Sequence, residues 1–338
     1  MTRSAARAAR VAAPAAIVAG VDEAGYGPRI GPLAVGLSVF RVESAGANAG
    51  AAAVDLWSRL RRVVGRAGDS RAVVQVDDSK RLKGAAGSRH PMGRIERGVL
   101  AFLSAAGEDP RDDLAVMRAL GAEADLAPWY DGPAVPAPLS TTSEHLSVLA
   151  AALRSGLTRG GVAVEEMRCE TVGEAAFNER VAETGSKAAV NFAAAGRCMR
   201  RVWRLYGEQA PTAVVDRQGG RVCYGGALAR VFPDARVRAL DEQHERSEYE
   251  IEGRAGAQRR MRVVFEIGAD GRHLPVALAS MTAKYVRELA MARLNRYWSR
   301  RVPGLAPTAG YGVDARRWLR EVNPLLTVTD RRRLVRRA

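Results

Sequence analysis

The sequence predicts an α/β fold: a mixed central sheet flanked by helices, with one insertion and a C-terminal helical segment. Three observations predict it. Apolar runs of strand length interleave along the chain with stretches of helical periodicity. Hydrophobic residues make up 47% and charged residues 26%, an ordinary globular composition. No internal repeat organises the chain.

The first strand is read at 15–21, an apolar run ending on Asp22-Glu23, and the second at 32–40. The Gly/Pro-rich stretch GYGPRIGP between them supplies a turn. A helical pattern covers 51–64. An insertion spans 85–160. Pro, Gly and Asp dominate its 105–139 part, which reads as irregular or as a lid, with Trp129-Tyr130 as a packing anchor. Thr141-x-x-Glu144 is a capping box that opens a helix over 143–155. Val162–Val172 reads as a strand, 175–206 as mostly helical with an Arg-rich outer face, and Thr212–Asp216 as a short strand ending on an acid. Segments 235–240 and 247–254 look extended. Runs at 260–267 and 273–279 alternate around GADG and predict a hairpin. A long helix follows at 280–298, then a second Gly-Tyr-Gly and a basic tail over 326–338. Residues 1–14 read as a loose basic extension, which leaves 15–325 as one domain.

Lys and Arg number 52 against 37 Asp and Glu, a formal charge of +15. That balance favours an anionic partner, nucleic acid first. Only four of the cations are lysines: Lys80, Lys83, Lys187 and Lys284. The C-terminal Arg331-Arg332-Arg333 and Arg336-Arg337 read as a solvated surface, with a phosphate-gripping tail as the alternative. The composition excludes a disordered or collagen-like chain. Cys169, Cys198 and Cys223 form no C-x-x-C pair and fit a reducing compartment. The stretch after Arg3, Arg7 and Arg10 imitates a short signal peptide, but it runs into the acid pair with no cleavage pattern. No segment is apolar over a bilayer's thickness, so no membrane partner and a cytoplasmic location are expected. The oligomeric state leaves no mark on the sequence.

Three places carry chemistry. In Val21-Asp22-Glu23-Ala24-Gly25-Tyr26-Gly27-Pro28, two adjacent carboxylates end an apolar strand. Adjacent strand residues face opposite ways, so both serve one site only where the strand ends or bulges. The glycines supply that freedom and let a polyanion's backbone come close. Asp216 ends a second buried strand. On the late helix, Ser280, Lys284 and Glu288 share one face at i, i+4 and i+8. Each place has a plainer reading: an acidic turn, a strand-end cap, a solvated Lys–Glu pair. The rarity of lysine weakens the last, because Lys80 (in Asp77-Asp78-Ser79-Lys80) and Lys284 both fall beside acids. Together the acids form a hard-oxygen set suited to Mg²⁺ or Mn²⁺ and to phosphodiester cleavage by two ions. The four histidines form no ligand spacing, and neither a P-loop nor G-x-S-x-G occurs.

With these pieces in order, the chain resembles the type 2 ribonuclease H family, ribonuclease HII and its relatives. The matching blocks are GVDEAGYGPRIGPLAV, DDSKRL, AVVDRQGG, ALASMTAKYVRELAM and PTAGYGVDARRWL. The resemblance implies a ribonuclease H-like fold and an endonuclease for the RNA strand of RNA/DNA hybrids or for ribonucleotides embedded in DNA. It implies Mg²⁺ or Mn²⁺ held by Asp22, Glu23, Asp216 and Glu288, the last standing where the family usually has Asp. The family's Gly-Arg-Gly, whose backbone reads a ribose 2′-hydroxyl, is Gly25-Tyr26-Gly27 here, and the Tyr of its later Gly-Tyr motif falls on Tyr311. Ser79, Lys80 and Lys284 complete the substrate-binding set. A further acid before the late helix falls on Asp270 by spacing, although GADG reads equally as a turn and Asp241-Glu242 compete.

Two other readings stay open on the residues. One is a non-catalytic nucleic-acid-binding module on the same fold, motivated by Glu288 in place of Asp and Tyr26 in place of Arg. Retention of four acids argues against it, since packed carboxylates repel unless a cation is held. The other is a related two-metal nuclease with a different substrate. The first reading expects the oxygens of Asp22, Glu23, Asp216 and Glu288 to converge.

Overall fold

The computed structural model describes residues 15–43, 54–84, 90–122, 127–254 and 258–337. The expected basic extension at 1–14 lies outside the described residues. So do 51–53 of the expected first helix and 85–89 and 123–126 of the expected insertion.

In chain order the elements are β1 (Ala15–Ala24), β2 (Leu33–Glu43), α1 (Leu56–Leu60), β3 (Val64–Gly65), β4 (Val74–Gln75), α2 (Ser79–Leu82), α3 (Gly93–Ala105) and α4 (Asp113–Ala119). Next come α5 (Ser143–Arg159), β5 (Val162–Val172), α6 (Glu174–Thr184), α7 (Lys187–Tyr206), β6 (Thr212–Asp216) and α8 (Gly225–Val231). The chain closes with β7 (Ala235–Glu242), β8 (Arg246–Gly253), β9 (Arg260–Glu266), α9 (Leu274–Ser299), α10 (Gly312–Val322) and α11 (Val328–Leu334). Seven strands form one mixed sheet in the order β5-β2-β1-β6-β9-β8-β7. Its centre, β1-β6-β9, is parallel, and the strands on either side are antiparallel. The mixed α/β class read from the sequence is the class the structure has.

Each face of the sheet buries its own core. On one side lie α1, α3, α5 and the first half of α9. On the other lie α7 and α8 with Phe177 of α6. A third cluster joins the far half of α9 to α10, Leu334 and Trp129-Tyr130, so that pair is the packing anchor expected of it. The placement of α9 is decided by two glycines. A Cβ on Gly20 of β1 would stand 2.1 Å from the Pro275 carbonyl carbon, and one on Gly36 of β2 would stand 2.0 Å from the Ala279 oxygen. The helix therefore rests directly on the backbone of both strands. No helix among the described residues is long and apolar enough to cross a membrane.

Several expectations are corrected. No hairpin forms around GADG: Gly268 turns left-handed at φ 63°, a short turn follows, and α9 begins at Leu274 with Pro275 in its first turn. Proline there needs no backbone donor, so 273–279 starts a helix two turns earlier than the periodicity indicates. Within the 85–160 stretch, α3 and α5 belong to the core, and the ring of Phe102 meets that of Phe40 edge-on at 6.2 Å. The irregular 105–139 part contains α4, tied down by a buried ion pair in which Arg293 donates to Asp113 at 2.8 and 2.9 Å. The cap of α5 is Thr142, one residue later than expected, and its hydroxyl accepts from the His145 amide. The 175–206 stretch divides into two helices at Gly185.

Candidate active site

The acid pair lies at the carboxyl end of β1. Val21 pairs with Val215 across the parallel ladder, so the next residue on each strand, Asp22 and Asp216, is an acid. Ligand sites of α/β sheets lie at such strand ends. Strand alternation then separates the pair. Asp22 faces α9 and bonds the Ser280 side chain, whereas Glu23 faces α7 and bonds Asn191. Asp216 accepts from the Ala269 amide at 2.8 Å, which draws the turn bearing Asp270 to the same place. On the near side, Asp78 caps α2, and the Ser280 hydroxyl donates to that of Ser79 at 3.4 Å.

These carboxylates are mutually unfavourable. Burial holds the Asp22 carboxyl well above its ordinary value, and the Glu23 and Asp216 charges add to it. Burial pushes Glu23 up to about 7, with Asp216 contributing. Asp216 rises to about 6, through burial and then the Asp270 charge. Asp270 is raised by burial and by Asp78. Lys80 is the cation that opposes this rise at Glu23, Asp216 and Asp270. The Oε2 atom of Glu23 is buried with no hydrogen-bond partner.

Glu288 does not join them. It lies eight residues beyond Ser280, about 12 Å further along the helix at 1.5 Å per residue. Its carboxylate accepts from Lys284 at 2.7 Å and lies 3.6 Å from Arg287. Glu288 thus makes its contacts with Lys284 and Arg287, and the acid whose charge acts on Asp216 is Asp270. Lys284 is correspondingly engaged with Glu288, away from the cluster. Asp241 and Glu242 stand on the outer strand β7.

The two Gly-Tyr-Gly segments meet over buried arginines. Gly25, Gly31 and Gly310 all have left-handed φ, at 84°, 92° and 86°. A Cβ on Gly25 would stand 2.6 Å from the Arg287 side chain, and one on Gly310 would stand 2.3 Å from the Ile30 oxygen. Arg287 is fully buried, donates to the Ile30 and Ala309 oxygens at 3.3 and 2.9 Å, and stacks on Tyr311 at 4.9 Å. Arg336 is also buried. It donates to the Gly25 oxygen and, at 2.9 Å, to that of Tyr26, and it lies 3.7 Å over the Phe177 ring. The expectation of a merely solvated C-terminal arginine run is thus corrected at Arg336. Tyr26 and Tyr311 remain 40% and 42% exposed, so their rings are open to a ligand.

Sequence reasoning missed Asn191, Arg287 and Arg336. Asn191 had a signal, as a lone amide inside the apolar run AVNFAAA. The two arginines had none among so many others.

The donor set suits a hard divalent cation, being all carboxylate, with an unpartnered buried oxygen on Glu23. As the side chains stand, no group of three or more His, Cys, Asp or Glu among the described residues closes to a metal-holding arrangement. What they share is an electrostatic field.

No family profile matches the chain, and no curated protein does. Solved structures do. The chain is similar to type 2 ribonucleases H. One is the RNase HII of Archaeoglobus fulgidus, solved in complex with PCNA, at 17% identity over 95% of this chain and 93% of that one, with a TM-score of 0.40. Another is the ribonuclease H2 of Pyrococcus horikoshii OT3, at 16% identity over 91% and 88%, with a TM-score of 0.37. A third is Bst-RNase HIII in complex with Mn²⁺, at 14% identity over 96% and 67%, with a TM-score of 0.39. At such values the likeness carries no activity over to this chain.

Proposed function

We propose that this chain is a divalent-metal-dependent endonuclease of ribonuclease H type 2 character. It cuts the RNA strand of RNA/DNA hybrids or at ribonucleotides embedded in DNA, with 15–325 as its catalytic domain and the cytoplasm as its location. One observation supports the reading above all. Buried carboxylates from two neighbouring parallel strands, with a further acid from the following turn, raise one another's proton affinity at one strand end. A fold that packs acids this way gains by holding a cation there. The chain around them is strongly basic, at +15, and attracts a polyanion.

Mg²⁺ or Mn²⁺ held by Asp22, Glu23, Asp216 and Asp270 would supply activation of water and charge compensation for phosphodiester cleavage. The chain's own residues do the rest. Ser280 and Asn191 hold Asp22 and Glu23 from opposite faces of the sheet. Lys80 favours the ionised acids and offers a point charge to a phosphate oxygen. Tyr26 and Tyr311 offer stacking surfaces, and the glycine backbone beside Tyr26 admits a strand with its 2′-hydroxyl.

The test is incubation with an RNA/DNA hybrid and with a DNA duplex carrying one ribonucleotide, in Mg²⁺ or Mn²⁺. Cleavage of either is expected. Cleavage of neither by the wild-type chain would overturn the reading, and tight hybrid binding without cleavage would favour the non-catalytic module. Cleavage that survives Asp22→Asn would overturn the site.

A further inference from the structure

Outside the carboxylate cluster, the most distinctive surface runs along α7 and α8. Two hollows adjoin there and share Arg200 and Val231. The nearer one, about 430 Å³, has Phe192, Gly196 and Ala227 in its lining, and Arg200, Arg221 and Arg230 as well. The farther one, about 450 Å³, presents Trp203 and Phe232 with Arg204. The arginines differ in state. Arg197 and Arg201 are neutralised by Glu170 and Glu166. Arg200, Arg204, Arg221 and Arg230 form no ion pair among the described residues. Arg221 instead lies over the Phe192 ring at 5.3 Å, and Arg200 donates to the Val231 carbonyl at 2.9 Å. By contrast, the hollow beside α3 and α5 sets Glu108 and Asp109 against Arg111 and Arg154, with no excess of either sign.

The arginine-lined hollows begin where the cluster ends. Phe192 follows Asn191, whose side chain bonds Glu23. Arg221 stands five residues beyond Asp216 in the same loop, and the Arg217 side chain donates to its carbonyl at 2.7 Å. We propose that this channel carries the phosphate backbone of the nucleic-acid strand beyond the point of cutting. The inference rests on the proposed function for its direction and on the unpaired arginines for its chemistry. From Asn191 to Arg204 the helix rises about 20 Å. A duplex strand passes a phosphate roughly every 3.4 Å, so about six phosphates lie along it. Aromatic rings beneath unpaired guanidiniums suit a polyanion that also stacks.

The experiment is duplex binding by fluorescence anisotropy, in metal-free buffer, across a range of KCl concentrations. DNA duplexes of about 8 and about 24 base pairs are compared. The variant is Arg200→Gln/Arg204→Gln/Arg230→Gln, all on the exposed surface. On the long duplex the slope of log affinity against log salt should become shallower by about 2 to 3, with affinity lowered roughly tenfold or more. The short duplex, about 27 Å long and so unable to cover both the cleft and the whole channel, should lose much less affinity than the long one. An unchanged slope on the long duplex, or equal loss on both lengths, would overturn the channel. A polyglutamate probe that outcompetes the long duplex, and loses affinity in the variant, would overturn it in favour of an acidic protein partner. Binding is read without cleavage, so a wild-type chain that shows the expected slopes yet cuts nothing would defeat the nuclease reading alone.

Discussion

Replacing Glu23 by Gln isolates the electrostatic tension of the carboxylate cluster. The Glu23 carboxyl is raised from 4.5 to about 7, by burial first and by Asp216 among its neighbours. At about 1.4 kcal/mol per pH unit, holding it ionised costs the fold about 3 kcal/mol. The sign follows from proton counting. Below pH 4.5 the group is protonated folded or unfolded, and nothing is lost. Between 4.5 and about 7 the folded chain holds the extra proton, so stability falls as pH rises. Above about 7 the loss is complete. Glutamine never ionises and can keep the Asn191 bond, but a buried amide with incomplete partners costs about 1 kcal/mol. Part of the tension also belongs to Asp22 and Asp216 jointly and relaxes only with them. A net gain of about 1 to 2 kcal/mol at pH 8 remains, a rise in Tm of roughly 1.5 to 3 °C for a chain of this length. The assay is calorimetric unfolding of both proteins from pH 4.5 to 8.5 in metal-free buffer. The gap should open with pH, and Mg²⁺ should narrow it by stabilising the wild type alone. A gap of the same size at pH 5 and pH 8, or a variant less stable at pH 8, would refute the reasoning.

Three further outcomes are expected. Asp22→Asn should lower hybrid cleavage roughly 100-fold or more while leaving the fold intact, read by single-turnover kinetics beside circular dichroism. Asp270→Asn should impair cleavage severely, whereas Glu288→Gln should stay within a few-fold of wild type; the reverse ranking would restore Glu288 to the site. Arg336→Ala strips the Gly25 and Tyr26 carbonyls of their buried donor. It should cost about 1 to 3 kcal/mol in urea unfolding and raise KM more than it lowers kcat.

The parts legible in the sequence were those decided locally. Val162–Val172 and Thr212–Asp216 form strands with the bounds their apolar runs indicate. The acid pair at the end of β1 and the acid at the end of β6 could be read the same way. What could not be read was decided by distant backbone. The run at 274–279 is buried on all sides, so it shows no helical stripe and imitates a strand. It is helical because Gly20 and Gly36 leave room for it, and neither glycine announces its partner. Periodicity put Glu288 on the face of Ser280, and rightly. A shared face, however, says nothing of the two turns of rise between them, and that rise moves Glu288 from the site. Asp270 sat in a turn with no pattern to recommend it, and only the Ala269–Asp216 hydrogen bond brings it in.

The net charge of +15 conceals three populations of arginine with different physical work. Some are balanced on the surface, as Arg197 and Arg201 are by Glu170 and Glu166. Some are buried and structural. Arg287, Arg293 and Arg336 lie at 0%, 2% and 2% exposure and satisfy backbone carbonyls that a compact ammonium would serve poorly. A third population is exposed and, among the described residues, unpaired, and Arg200 and Arg204 of α7 and Arg230 of α8 belong to it. Lys80 matters beyond its number, because it opposes the raised pKa of three of the crowded acids.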